Sequence, residues 1–269
     1  MKLNSLLGQS ATIPSIPKVA QELIEAFGQN VSMLEVGQKL KLDPALSGKV
    51  LRLANSARYA RNRSVDSVEA AAVLIGDEAL KTLIIASGVT SALKGGDNVK
   101  LLWGRSFIVA EALRTLAMKI DINKEAAFTL GILHNIGEIL IASAKPEMYK
   151  FYLREVKFKE TRKRLEMKTY GLLSADVGAE LAEKWKFSSS QIQAISHQND
   201  LDLTKPAKDW ANLIYLVNIV FDQWSEQDNS LLDREDIHQV LEELSMTLEA
   251  FHELLDQAKV DSEPYMALI

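Results

Sequence analysis

Any chemistry in this chain must rest on nitrogen and oxygen, because it contains no cysteine. Disulfides, iron–sulfur clusters and thiolate zinc sites are thereby excluded, and the composition fits a reducing cytoplasm. The side chains best suited to bind a metal or move a proton are the four histidines, His134, His197, His238 and His252. His238 and His252 fall in an acidic C-terminal stretch, without a partner at metal-ligand spacing, and are expected at the surface. Other chemistries lack their signatures. Gly95-Gly96 is not followed by the Lys-Ser/Thr of a phosphate-cradling loop. Ser5, Ser56 and Ser106 stand in no nucleophile-elbow pattern. Trp103, Trp185, Trp210 and Trp224 lack the basic and aromatic interleaving of a single-strand groove, and packing is expected for all of them.

Charge narrows the partners further. The formal net charge is −5, whereas duplex binding draws its affinity from neutralising phosphates, so no nucleic-acid partner is expected. The charge is uneven. Lys150 to Lys168 carries eight basic and three acidic residues, a net of +5, while Asp222 to Glu263 carries thirteen acids against Arg234 and Lys259, a net of −11. Two readings stand: solvated helical faces, or one pole that docks an oppositely charged partner. No run of 18 or more apolar residues occurs, so no membrane-spanning helix and no membrane partner are expected. Met1 to Ser10 lacks the pattern of a secretory signal.

The elements that must position these residues are helical nearly throughout, and the expected fold class is all-α, with no sheet. Pro17 to Phe27 places Val19, Leu23, Ile24 and Phe27 on one face. Ser32 and Glu35 form a capping box before a helix to Leu42. Asp43-Pro44 pairs an N-cap with proline at the first helical position, opening a helix to about Asn55, followed by a polar loop from Arg58 to Asp66. Ser67 caps a helix that Gly76 stops, and Asp77 caps one running to Leu93. Further helices are expected at about 99–120, 124–133, 136–144, 146–156, 158–169, 174–186, 189–197, 206–226, 233–244 and 247–259. The Gly-Gly break within Lys94–Asn98 would divide an N-terminal helical part, 1–95, from a core at 96–200 and C-terminal helices at 201–269. The alternative is a turn inside one continuous domain.

Two segments resemble the HDOD domain family. The first is Asp43-Pro44-Ala45-Leu46 with Val50-Leu51-Arg52-Leu53-Ala54-Asn55-Ser56-Ala57 and Tyr59, preceded by Ile13-Pro14-Ser15-Ile16-Pro17 and followed by Ala71-Ala72-Val73-Leu74-Ile75-Gly76. The second is Ala126 to Gly137, ending in Leu133-His134-Asn135-Ile136-Gly137, and Gly178-Ala179-Glu180-Leu181 through Trp185 adds a third match. Together they cover about residues 13 to 200. The resemblance implies an all-helical fold related to the HD phosphohydrolases and a bacterial regulatory role, often near cyclic-dinucleotide or two-component signalling.

The resemblance also implies where a metal would sit, and the chain departs from that pattern. The parent chemistry holds divalent ions with a histidine, a His-Asp pair and a late aspartate, making hydroxide and polarising a phosphoryl oxygen. Here the corresponding residues are Arg105, His134-Asn135 and Asn218. The site of a further histidine is Ser174, and near Ile195 the register leaves open whether His197 is equivalent to another. A carboxamide lacks the charge of a carboxylate, and a guanidinium offers donors and no lone pair. At about 4 Å and an effective dielectric of about 20, each unit of metal charge would be repelled by roughly 4 kcal/mol. No metal or other cofactor is therefore expected, although Asp222, one helical turn beyond Asn218, could face the same way. Arg105 is expected to hydrogen-bond to Asn135 or Asn218. The alternative is an anion pocket of Arg105, His134 and His197 for a phosphate, carboxylate or nucleotide.

The expected function is a non-catalytic module that binds a signalling protein, or a second copy of itself. Its expected contact surface is Arg52, Asn55, Ser56, Arg58 and Tyr59; the alternative is that Asn55-Ser56 ends a helix and tethers the loop. A divergent metal-dependent phosphohydrolase acting on a nucleotide or cyclic dinucleotide is the competing expectation.

Overall fold

The structure, a computed structural model, describes residues 22–23, 32–60, 64–92, 96–156, 162–185, 187–226 and 234–268. The described residues are helical, with no strand among them. In chain order the helices are α1 (Met33–Leu40), α2 (Pro44–Ala54), α3 (Ala57–Ala60), α4 (Val68–Ile75) and α5 (Asp77–Ala92). There follow α6 (Asp97–Lys119), α7 (Lys124–Leu133), α8 (Ile136–Ala144), α9 (Pro146–Glu155) and α10 (Arg162–Tyr170). The remainder are α11 (Ser174–Lys184), α12 (Ser189–His197), α13 (Trp210–Glu226), α14 (Glu235–Glu243) and α15 (Leu248–Ser262), closed by a 3-10 turn at Glu263–Leu268.

Local chemistry sets most of these boundaries. The Ser32 hydroxyl accepts from Glu35 N at 3.3 Å, and the Glu35 carboxylate accepts from Ser32 N at 3.1 Å. The Asp43 carboxylate accepts from both Ala45 N and Leu46 N at 3.0 Å, with Pro44 at the first helical position. Each contact satisfies amides that have no partner within their helix. Gly76 ends α4 at φ +85, a left-handed conformation that costs glycine little.

Helix α6 is central: α7, α8, α13 and α15 all pack against it. α1 and α2 pack on α4, α5 packs on α7, and the series α8–α11–α12–α13 surrounds the junction between α7 and α8. Two glycines let the backbones meet there. A Cβ on Gly131 would lie 2.3 Å from Ala110 Cα, and one on Gly137 would lie 1.9 Å from Ser174 O. The four residues from Gly131 to His134 and the three from Asn135 to Gly137 are thus held between α6 and α11. Buried apolar residues from Leu23 to Tyr265 form one connected cluster. Lys124–Ala144 is long and apolar enough to cross a membrane, but the α7–α8 junction interrupts it and it lies within this core.

Three features depart from the sequence expectation. Ala57–Ala60 forms a helical turn inside the expected polar loop. α13 begins at Trp210 because the Asp209 carboxylate accepts from Ala211 N at 3.0 Å, ending the turns that precede it. The chain past Ser262 continues as a 3-10 turn and buries Tyr265 completely. The helix expected over Pro17 to Phe27, the Ile13 to Pro17 motif and part of the Gly-Gly break lie outside the described residues.

Candidate functional site

Of the residues singled out from sequence, His134 and Asn135 lie at the α7–α8 junction, and Arg105 and Asp222 are near enough for His134 to feel their charges. His134 caps the end of α7, and Asn135 directly precedes α8. Both are buried. His134 Nδ1 lies 2.6 Å from Gly131 O. A carbonyl oxygen only accepts, so Nδ1 carries the proton and Nε2 keeps its lone pair. Burial, together with the neighbouring Arg105 and Arg162 charges, holds the His134 pKa down at about 3, and its own bond to Gly131 and the Asp222 charge offset only part of this. The imidazole is therefore neutral across the physiological range.

Arg105 reaches this junction from α6. Its Nη2 donates to Asn218 Oδ1 at 2.8 Å and its Nε to the same oxygen at 3.3 Å, while Nη1 pairs with Asp222 Oδ1 at 2.5 Å. Asn218 and Asp222 lie one turn apart on α13, so one guanidinium spans two successive acceptors of one helix. The plane also lies over Phe221, 5.4 Å from the ring centroid. Burial would raise the Asp222 pKa, but the Arg105 and Arg162 charges and the Arg105 hydrogen bond outweigh it and hold the carboxyl below its ordinary value.

Arg162 was not expected here. From α10 it donates to Glu138 Oε2 at 3.0 Å, and Tyr149 donates to Glu138 Oε1 at 2.8 Å. One cation of the basic run from Lys150 to Lys168 is thus directed inward and answers a buried carboxylate. Glu166, in the same run, accepts from Ser174 N at 2.8 Å and Ser174 Oγ at 2.6 Å. Arg162 is hard to find from sequence because its seven basic neighbours read as a solvated face, and only the apolar setting of Glu138 signals a buried partner.

The other expected residues take different places. His197 is exposed, with Nδ1 2.9 Å from Gln193 O. Its neighbour Gln198 is buried instead and donates to His134 O at 2.7 Å and Ile195 O at 3.0 Å. The Asn135 amide nitrogen is buried and makes no hydrogen bond among the described residues. At the motif after α2, Arg52 is exposed. Asn55 donates to Leu51 O at 2.9 Å and Val65 O at 2.7 Å and accepts from Val65 N at 2.7 Å, so its carboxamide ties the loop to the helix end. The Ser56 hydroxyl is buried, and the Arg58 side chain lies outside the described residues.

Tyr59 turns inward to a second polar centre that the sequence reading missed. Arg114 on α6 donates to Glu111 at 3.2 Å, Glu125 at 2.5 Å, and the hydroxyls of Tyr59 and Tyr265 at 3.4 Å each. Tyr265 donates to Glu111 at 2.6 Å, and the Arg114 guanidinium lies 4.1 Å from the Phe128 centroid. The signal was available: Glu111 and Arg114 continue the helical stripe of Trp103, Phe107 and Ala110, where apolar residues are required.

The parent fold's metal can be tested against the first centre. Its acceptors are already bonded to a guanidinium, and Arg162 adds a second positive charge nearby. Among the described residues no group of three or more His, Asp or Glu side chains forms a metal-ligand set. The residues present do not fit a divalent ion. A shallow cavity of about 420 Å³ lined by Glu35, Gln38, Lys39 and Leu42 lies on α1 and the turn after it, with no residue in common with this centre.

The model of the HDOD domain matches residues 13–201. A Shewanella amazonensis SB2B protein, provisionally named a phosphohydrolase, superposes with a TM-score of 0.74 at 29% identity, covering 99% of this chain and 97% of that one. An HDOD domain protein of unknown function from Geobacter sulfurreducens has a TM-score of 0.74 at 20% identity, covering 97% and 95% of the two chains. A Treponema pallidum (strain Nichols) protein without a described function is 26% identical over 205 residues, which are 70% of this chain and 38% of that relative.

Proposed function

This chain belongs to the HDOD domain family, and from that premise we propose that it is a non-catalytic signal-transduction module that works by binding another protein. The observation that carries the reading is the Arg105 guanidinium, bonded at once to Asn218 and Asp222 where the resemblance puts a metal-ligating histidine. A guanidinium has no lone pair to give. A centre so composed has no means of generating metal-bound hydroxide, on which the related hydrolases depend. The work then falls to the surface. Arg52, exposed on α2, is the contact we propose, beside Asn55, which is also exposed and ties the helix end to the loop. The partner is a signalling protein. A second copy of the chain, or a small anion or nucleotide at the polar centre, are alternatives that sedimentation and ligand-induced melting shifts discriminate.

The 29% identity to a relative provisionally named a phosphohydrolase supports a second reading, metal-dependent hydrolysis of a nucleotide or cyclic dinucleotide. Incubation with Mn²⁺, Fe²⁺ or Zn²⁺ and bis(p-nitrophenyl) phosphate separates the two. The expected result is no turnover above a protein-free control. Turnover proportional to protein and abolished by His134→Ala would overturn the non-catalytic reading. Arg52→Glu is expected to weaken capture of a partner identified with the wild type and leave the melting temperature unchanged.

A further inference from the structure

The basic run sends Arg162 and Glu166 inward, but most of its cations stay outside. Glu138 accepts from Tyr149 of α9 on one oxygen and from Arg162 of α10 on the other, so both helices turn one side toward α8. Their other sides are exposed. α9 presents Met148, Lys150, Phe151 and Arg154, and α10 presents Arg164, Met167 and Lys168. Phe151 is 49% exposed and Met167 52%. Three large apolar side chains thus stand among four cations, and aromatic, methionine and arginine side chains are those that docking surfaces favour. The acidic stretch holds the complement. On α15, Phe251, Leu254, Leu255 and Ala258 are buried, and the opposite side carries Glu249, Glu253, Asp256 and Val260, all exposed, Val260 to 60%. Spacings of four, three and four residues align these along one stripe of the helix. Because both faces are exposed, neither covers the other within one chain. We propose that the α9–α10 face docks the acidic stripe of α15 from a second copy of this chain. The two surfaces differ, so the contact is head-to-tail, and each copy brings one face of each kind. Exposed ion pairs are weak and screened by salt. Phe151, Met167 and Val260 therefore supply the hold, and charge supplies orientation. Self-association then follows protein concentration and ionic strength.

Sedimentation equilibrium on the full chain tests this. At about 0.5 mM protein and low salt, the weight-average mass of the wild type is expected to reach at least twice the monomer's 29.9 kDa. At about 1 M NaCl, where charges are screened within about 3 Å, it is expected to fall back toward the monomer. Phe151→Asp spoils the basic face alone, and Val260→Asp the acidic stripe alone. Each variant is expected to stay monomeric. Mixed in equal amounts they still bring one intact face of each kind, and the mixture is expected to regain a dimer. Both side chains are exposed, so both variants are expected to melt with the wild type. If one does not fold, Arg154→Ala or Glu253→Ala replaces it on the same face. Arg52→Glu is expected to leave self-association unchanged, so this inference and the proposed partner surface fail separately. A wild type that stays at the monomer mass overturns the inference. Its binding to phosphatidylserine vesicles or to poly-L-glutamate would then assign the basic face to a lipid surface or to another acidic protein. A mixture no heavier than its components also overturns the inference, as does a single variant that associates like the wild type.

Discussion

Helix α6 carries two arginines into the protein, nine residues apart, and they sit in different surroundings. The Arg114 side chain is 4% exposed and draws together Tyr59 after α2, Glu111 on its own helix, Glu125 on α7 and Tyr265 in the C-terminal turn. The Arg105 side chain is 15% exposed, and its carboxylate partner Asp222 is 42% exposed. The first centre buries Arg114 and Glu111, leaves Glu125 35% exposed at its edge, and joins sequence-distant parts of the chain. The second opens toward solvent beside a histidine with an available lone pair. The contrast teaches that a buried arginine is not itself a sign of function. What separates the two is exposure: Arg105 and Asp222 are partly open to solvent, whereas Arg114 and Glu111 are not.

The largest expected effect belongs to the first centre. Arg114→Met leaves Glu111 in the core without its cation and should cost about 3–5 kcal/mol, measured by urea denaturation with an unchanged m-value. The same measurement on Arg105→Met should show a smaller loss, about 1–2 kcal/mol, because the Asp222 side chain is 42% exposed and keeps its access to water. Equal losses would erase the distinction between the centres.

Acid should act mainly through the open centre. The folded pKa of His134, about 3, lies below its ordinary value of 6.5. Above that ordinary value neither state holds the proton, and the histidine's contribution is full. As pH falls from there toward the folded value, the unfolded chain binds a proton that the folded chain refuses, and stability declines by about 1.4 kcal/mol per unit. At pH 5 the loss is about 2 kcal/mol. The lowered pKa of Asp222 acts in the same direction at lower pH, its contribution being lost as pH falls through the folded value. His134→Gln should flatten the slope of stability against pH above 5, whereas Tyr265→Phe should leave it unchanged. A loss comparable to that of Arg105→Met, but independent of pH, is expected from Tyr265→Phe itself. Losing the hydroxyl that donates to Glu111 should cost about 1–2 kcal/mol at every pH, read from parallel denaturation curves.

How far these centres could be read from sequence depended on how local their causes are. Ser32, Asp43, Ser67 and Gly76 act within a few residues of themselves, so they revealed the ends of α1, α2 and α4. The resemblance brought Arg105, His134 and Asn218 to notice because it carries their spacing across more than one hundred residues, and Asp222 followed as the residue one helical turn beyond Asn218. Arg162 and Glu138 escaped because their pairing exists only once α10 crosses α8. Tyr265 escaped for a related reason: nothing near Glu263–Leu268 in sequence indicates that this turn inserts beside Glu111 and Arg114. The shift from His197 to Gln198 is a single residue on a helix, about 100° of rotation, and composition cannot resolve it.

On the proposed reading a guanidinium, not a metal, supplies the positive charge near His134. Anomalous diffraction from crystals soaked in Zn²⁺, recorded at the zinc edge, tests it most directly. No anomalous peak is expected at this centre, with unbroken density linking Arg105 to Asn218 and Asp222. A full-occupancy peak within bonding distance of His134 Nε2, with Arg105 swung away, would contradict it.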